Sequence, residues 1–78
     1  MKIQFTILQN PELVNQTLSQ IESEVFTETH DGDTDVSVTN ASCRDMLVLK
    51  RAASQHPTNI VGISYHYGKN NGPIVQRG

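Results

Sequence analysis

Residues 25–39, with the sequence VFTETHDGDTDVSVT, predict a β-hairpin that decides the fold. The central dipeptide Asp31-Gly32 is suited to a two-residue type I′ turn, which needs positive φ angles at both positions. Such a turn sets the register of the flanking strands. The expected cross-strand pairs are His30 with Asp33, Glu28 with Asp35, Thr27 with Val36, and Val25 with Val38.

This register divides the side chains between two faces. One face holds Val25, Thr27, Val36 and Val38. The other face holds Phe26, Glu28, His30, Asp33, Asp35 and Ser37. A slip of one residue would mix apolar and charged side chains, so the clean division supports the hairpin. In the alternative interpretation, residues 25–30 continue the preceding helix.

Two elements are predicted before the hairpin. Ile3, Phe5 and Ile7 alternate with polar residues, which is the pattern of a half-buried strand. Asn10-Pro11 then predicts the start of a helix, because asparagine caps helices and proline fits their first position. Apolar residues at helical spacing follow, and we expect this helix to end near residue 23.

Two further elements are predicted after the hairpin. Ser42 and Asp45 have the spacing of a capping box, which predicts a second helix running to about Ser54. Residues 59–67 predict a fourth strand, and beyond a turn at 68–73 residues 74–76 admit a short edge strand. The core face of the fourth strand is expected to hold Val61, Ile63, Tyr65 and Tyr67.

The order β-α-β-β-α-β predicts an α+β fold of the ferredoxin-like (split βαβ) type, with residues 1–78 forming a single small domain. It is a two-layer sandwich in which two helices cover one face of a four-stranded antiparallel sheet. The expected strand order is 4-1-3-2. The helices are expected to cover Ile3, Phe5, Ile7, Val36, Val38, Val61 and Ile63.

Charge is sorted along the chain. Residues 1–39 carry seven of the eight acids and one base, net −6, whereas residues 40–78 carry five of the six bases and one acid, net +4. The overall charge of −2 therefore hides a molecule with two signs. Such a distribution favours a binding partner of complementary charge.

Composition indicates a cytoplasmic protein. Cys43 is the only cysteine, so no disulfide forms within the chain, which fits a reducing compartment. Polar residues interrupt the N-terminal segment before it resembles a signal peptide. No stretch approaches the roughly 18 apolar residues that span a membrane, and no membrane partner is expected.

The charged face of the hairpin is the first candidate binding surface. Glu28 and Asp35 are expected to lie opposite each other, where like charges are destabilising. A partner protein would explain this arrangement, although a solvated hairpin face also tolerates it. The predicted primary surface is Phe26, Glu28, His30, Asp33 and Asp35, and the secondary surface is Arg44, Val48 and Arg51. This predicts a small non-enzymatic adaptor or inhibitor, and the small size and lack of active-site motifs would also suit a protein carried by a phage or other mobile element.

Metal, cofactor and catalytic sites are not expected. The segment HDGDTD at residues 30–35 resembles a calcium loop but lacks its 12-residue frame and closing glutamate, so that only His30, Asp33 and Asp35 would converge. Cys43 is expected to be half-buried at the start of the second helix, with no histidine aimed at it as a base. The sequence therefore predicts no enzyme.

Three alternatives stay open. The RNA-recognition motif has the same order of elements, but the equivalent strands here offer Gln4, Thr6, Asp35 and Ser37 in place of aromatic residues. Nucleic acid is therefore an unlikely partner, with the Arg44/Arg51 helix face as its only plausible site. A small ligand-binding domain would have a pocket lined by His30 or His66. Tyr65 and Tyr67 are either core or interface residues, and a free edge strand would permit a homodimer.

Overall fold

Two helices and a four-stranded antiparallel sheet form the fold in a computed structural model, which describes residues 1–67. The elements are β1 (Lys2–Ile7), α1 (Pro11–Ser19), β2 (Val25–His30), β3 (Asp33–Val38), α2 (Cys43–Gln55) and β4 (Ile60–His66). The strand order is β2-β3-β1-β4, which confirms the predicted α+β class and the predicted order of elements and strands. The suggested edge strand at residues 74–76 lies outside the described residues.

The hairpin has the predicted register. Asp31 and Gly32 have φ angles of 51° and 88°, as a type I′ turn requires. All four expected pairs are present, including Glu28 opposite Asp35 and His30 opposite Asp33. Residues 25–30 are therefore a strand and do not continue α1.

The core lies between the sheet and the two helices. Ile3, Phe5 and Ile7 of β1 are almost fully buried, as are Leu13 of α1 and Leu49 of α2. Val36 and Val38 extend the same face across β3. Both helices therefore cover the face of the sheet that carries the alternating apolar residues, and nothing within residues 1–67 covers the opposite face, which we call the open face.

Strand β4 departs from the predicted alternation. Between the positions that pair with Gln4 and Thr6 of β1, strand β4 has one residue more than β1. As a result, Val61 lies opposite Thr6 and Ile60 lies opposite Ile7. Gly62, at φ +64°, sits within this bulge. The prediction that Val61 faces the core is therefore wrong, because the extra residue puts Ile60 there. Ile63 packs against the core as predicted.

Helix α1 is shorter than predicted. It ends at Ser19, with Gln20 as its C-cap, and not near residue 23. The following residue, Ile21, still packs partly against the core. Strand β2 is an edge strand, and Thr27 is exposed although it points to the side of the core. Neither helix within residues 1–67 has the length and apolar character needed to cross a membrane.

Asp45 fastens the start of α2 to the segment before β2. The capping box with Ser42 is present as predicted, and Asp45 is only 1% exposed. Its carboxylate also accepts hydrogen bonds from the backbone N–H of Glu22 at 2.9 Å and from the hydroxyl of Ser23. Burial raises the pKa of this carboxyl, but the hydrogen bonds outweigh burial and hold the pKa below its ordinary value of 3.8.

Candidate functional site

The open side of the hairpin carries the predicted primary surface, Phe26, Glu28, His30, Asp33 and Asp35, which we call the acidic face. Phe26 is 55% exposed, although large apolar side chains are usually buried. Glu28 follows it two residues later on the same side of β2, and Asp35 lies opposite Glu28 on β3. An exposed aromatic ring therefore stands beside two carboxylates.

His30 lies between the two carboxylates. Its Nε2 atom is 3.5 Å from Oε1 of Glu28 and 3.7 Å from Oδ2 of Asp35. All three side chains are more than half exposed. The imidazole is therefore within reach of both carboxylates, which are like charges in opposed positions on neighbouring strands.

Asp33, at the edge of the acidic face, makes a contact that the sequence did not predict. Its carboxylate accepts a hydrogen bond from the backbone N–H of Gln9 at 3.1 Å. Gln9, at φ 29°, also donates its side-chain amide to the carbonyl oxygen of Asp31 at 3.4 Å. Asp33 therefore ties the loop after β1 to the tip of the hairpin, at one edge of the acidic face.

The donor atoms that converge are those of Glu28, His30 and Asp35, which lie within 4.8 Å of one another. The sequence suggested Asp33 in place of Glu28 as the third member. Calcium takes six to eight oxygen ligands and structural zinc takes four closed ligands, so three exposed side chains are a sparse donor set for either ion. The arrangement presents two carboxylates to solvent, with an imidazole between them.

The neighbouring strand orients one of these carboxylates. The hydroxyl of Thr6 donates a hydrogen bond to Oδ1 of Asp35 at 2.8 Å, across the pairing of β1 with β3. On the same strands, the side-chain amide of Gln4 donates a hydrogen bond to the hydroxyl of Ser37 at 3.4 Å. Sequence reasoning placed Thr6 on the open face but missed its contact with Asp35, which the register of β1 against β3 would have indicated. A shallow depression of about 370 Å³ runs along these strands.

The predicted secondary surface borders a groove between the end of α1 and α2, which we call the basic groove. Its volume is about 510 Å³, and its lining is Ser19, Gln20, Glu22, Arg44, Leu47, Val48 and Arg51. Nη1 of Arg44 lies 3.4 Å from Oε2 of Glu22, and both side chains are exposed. Lys50 is not part of this lining, and its Nζ lies 5.8 Å from the centre of the Tyr65 ring.

Two side chains of α2 are notably exposed. Leu47 is 60% exposed, although large apolar side chains are usually buried. Its position three residues after Arg44 and four before Arg51 puts it on the face of those arginines, a signal that sequence reasoning missed. Cys43 is exposed at the start of the helix and not half-buried.

The remaining candidates lie apart from the acidic face. Tyr65 packs partly against the core, whereas Tyr67 is 59% exposed, so the two tyrosines do not share one environment. Burial, together with the charge of Tyr67, raises the pKa of Tyr65. His66 has Nε2 3.4 Å from the hydroxyl of Ser64 on the open face. This contact brings a hydroxyl and an imidazole together, but within residues 1–67 no carboxylate orients the imidazole as in a catalytic triad.

Comparison with protein-family models, with curated proteins and with solved structures gave no significant match.

Proposed function

We propose that this chain is a small non-enzymatic interaction module, of the adaptor or inhibitor type, whose acidic face binds a basic surface on another protein. The observation that carries the proposal is the exposed ring of Phe26 beside the opposed carboxylates of Glu28 and Asp35. A cytoplasmic setting suits a chain whose one cysteine is exposed and unpaired.

The energetics of the acidic face favour a cationic partner. Like charges directly opposite each other on neighbouring strands destabilise a sheet by some tenths of a kcal/mol. A lysine or arginine that contacts Glu28 and Asp35 from the solvent side would offset this repulsion and form charge-assisted hydrogen bonds. Phe26 would supply apolar area, for which full burial of a phenylalanine contributes about 1.5–3 kcal/mol. Charge would set the association rate and selectivity, and the ring would add affinity.

The acidic face disfavours nucleic acid as the partner. Phosphates would be repelled by Glu28 and Asp35, and the open strands offer no row of stacking aromatic residues. At the alternative site, Arg44 and Arg51 supply two positive charges, a small number for a protein that binds a phosphate backbone.

We also propose that the arrangement is ferredoxin-like. The support is the interleaving of two β-α-β units with the strand order β2-β3-β1-β4 and both helices over one face. This fold occurs with many unrelated functions, so the proposed function rests on the acidic face alone.

The test compares three tagged forms of the protein in affinity capture from the lysate of its own host, with quantitative mass spectrometry and nuclease treatment. The forms are the unmodified chain, the face variant Glu28→Lys/Asp35→Lys, and a control variant Glu12→Lys/Glu24→Lys. Both variants change the net charge equally, and all four residues are exposed. Far-UV circular dichroism verifies that each variant is folded.

We expect one stoichiometric protein that resists nuclease, is retained by the control variant and is lost from the face variant. A partner that binds the face variant as well as the unmodified chain would contradict the proposal. Capture that disappears with nuclease would favour the Arg44/Arg51 face and a nucleic-acid partner.

A further inference from the structure

The basic groove and the acidic face are opposite in charge but similar in the kinds of side chain that they combine. In the groove, exposed Leu47 and half-buried Val48 lie between Arg44 and Arg51. These arginines are seven residues apart, which is about 10 Å along a helix axis. On the acidic face, an exposed phenylalanine lies beside two carboxylates. Each surface therefore combines an apolar side chain with two like charges, and the sign is reversed between them.

The two surfaces also lie on opposite layers of the molecule. The acidic face belongs to the side of the sheet that no helix covers within residues 1–67, whereas the groove lies between the helices on the other side. One molecule can therefore present both surfaces at once. A contact between the acidic face of one copy and the groove of the next is a head-to-tail contact. A series of copies joined in this way has one free acidic face at one end and one free groove at the other.

We propose that the basic groove binds the acidic face of a second copy of this chain. Phe26 of one copy would contact Leu47 and Val48 of the other, and Glu28 and Asp35 would pair with Arg44 and Arg51. This inference rests on the proposed function in one respect, because both assign binding to the acidic face. It adds the occupant of the groove, and it makes self-association and binding of the basic partner mutually exclusive at that face.

The ion pair within the groove does not block this contact. Arg44 and Glu22 are 3.4 Å apart, with side chains 73% and 62% exposed, and exposed pairs of this kind contribute little to stability. Arg44 can therefore reach a carboxylate of the second copy at small cost. Arg51 brings a second guanidinium to the same contact. Since few charges and a small apolar area are involved, the association is expected to be weak and sensitive to salt.

The experiment is sedimentation equilibrium of the full chain over a wide range of concentration, at about 0.05 M and about 0.5 M salt. It uses the unmodified protein, the face variant Glu28→Lys/Asp35→Lys, and a groove variant Arg44→Glu/Arg51→Glu. It also uses an equimolar mixture of the two variants. The face variant keeps an intact groove and the groove variant keeps an intact acidic face, so the mixture can form one unmodified contact.

We expect the average mass of the unmodified protein to rise with concentration at low salt, and to rise less at high salt. Each variant alone should have a dissociation constant for self-association at least about tenfold higher, because two close charge pairs become repulsive. The mixture should recover association of near-normal affinity, through the unmodified groove of one variant and the unmodified acidic face of the other. An unmodified protein that stays monomeric, variants that still self-associate, or a mixture that fails to associate would each overturn the inference.

This result can be separated from that of the proposed function. The groove variant should still capture the basic partner, because its acidic face is intact. Capture that depends on the acidic face without self-association would refute this inference and leave the proposed function in place. Self-association with partner capture unaffected by the face variant would refute the proposed function and leave the head-to-tail contact in place.

Discussion

Replacing Asp45 with alanine is expected to remove about a quarter to three quarters of the stability of the domain. The change deletes the acceptor for the Ser23 hydroxyl and for the N–H groups of Glu22 and Ser42. Hydrogen bonds to a charged group contribute about 1.5–3 kcal/mol each, but water can reach exposed Glu22 and Ser42. We therefore expect a loss of about 3 kcal/mol. A domain of this size has about 4–12 kcal/mol in total.

The assay is urea unfolding followed by far-UV circular dichroism, with thermal unfolding beside it. A loss of about 3 kcal/mol corresponds to a fall in Tm of about 12–24 °C for a domain of this length. The matched control is Glu12→Ala, an exposed acid in the first turn of α1. It should cost less than about 1 kcal/mol. An Asp45→Ala variant within about 1 kcal/mol of the unmodified protein would refute the structural role of this carboxylate.

The same carboxylate predicts a pH dependence of stability. Because hydrogen bonds hold the pKa of Asp45 below its ordinary value of 3.8 in the folded state, the folded protein releases this proton more readily than the unfolded chain. The stabilisation is complete above the unfolded pKa and is lost as the pH falls through the folded pKa. Below about pH 4, the stability of Asp45→Asn should therefore fall less steeply than that of the unmodified protein. Parallel curves for the two proteins would contradict this assignment.

Three further predictions concern single features of the fold. Gly62→Ala should lower the free energy of unfolding by about 1 kcal/mol, because an added Cβ meets nothing within 4 Å but the φ of +64° disfavours any side chain; no change in urea unfolding would count against the bulge. Micromolar zinc should leave Tm unchanged, since three exposed ligands must be ordered to bind it; a saturable rise in Tm that His30→Ala abolishes would contradict this. Spectrophotometric titration at 295 nm should show one phenol that ionises above the ordinary pKa of 10.0, because the ring of Tyr65 is partly buried. This high-pH titration should be absent in Tyr65→Phe, and its survival in that variant would contradict the assignment.

The hairpin was predictable because local signals agree. Asp31-Gly32 sets the turn and hence the register. Only that register puts Val36 on one face of the hairpin and both Asp35 and Glu28 on the other. The position of the acidic face follows from the same alternation. The sequence could therefore place the candidate site before its geometry was known.

Features that depend on distant contacts were not predictable in the same way. The bulge at Gly62 shifts β4 by one residue through its pairing with β1, and a glycine carries no side chain to signal which face it occupies. The spacing of Ser42 and Asp45 predicts a capping box, but not the contacts of Asp45 with Glu22 and Ser23 far along the chain. The contact of Asp33 with Gln9 was likewise not predictable, because Gln9 lies in another loop.

The measurement that most directly tests the central claim is carboxyl footprinting of the captured complex. A water-soluble carbodiimide and an amine label exposed carboxylates in the free protein and in the complex, and mass spectrometry quantifies each site. Glu28 and Asp35 should lose most of their labelling in the complex, while exposed Glu12 keeps the labelling of the free protein. Equal labelling of Glu28 and Asp35 in both states would show that the partner binds elsewhere and would contradict the account.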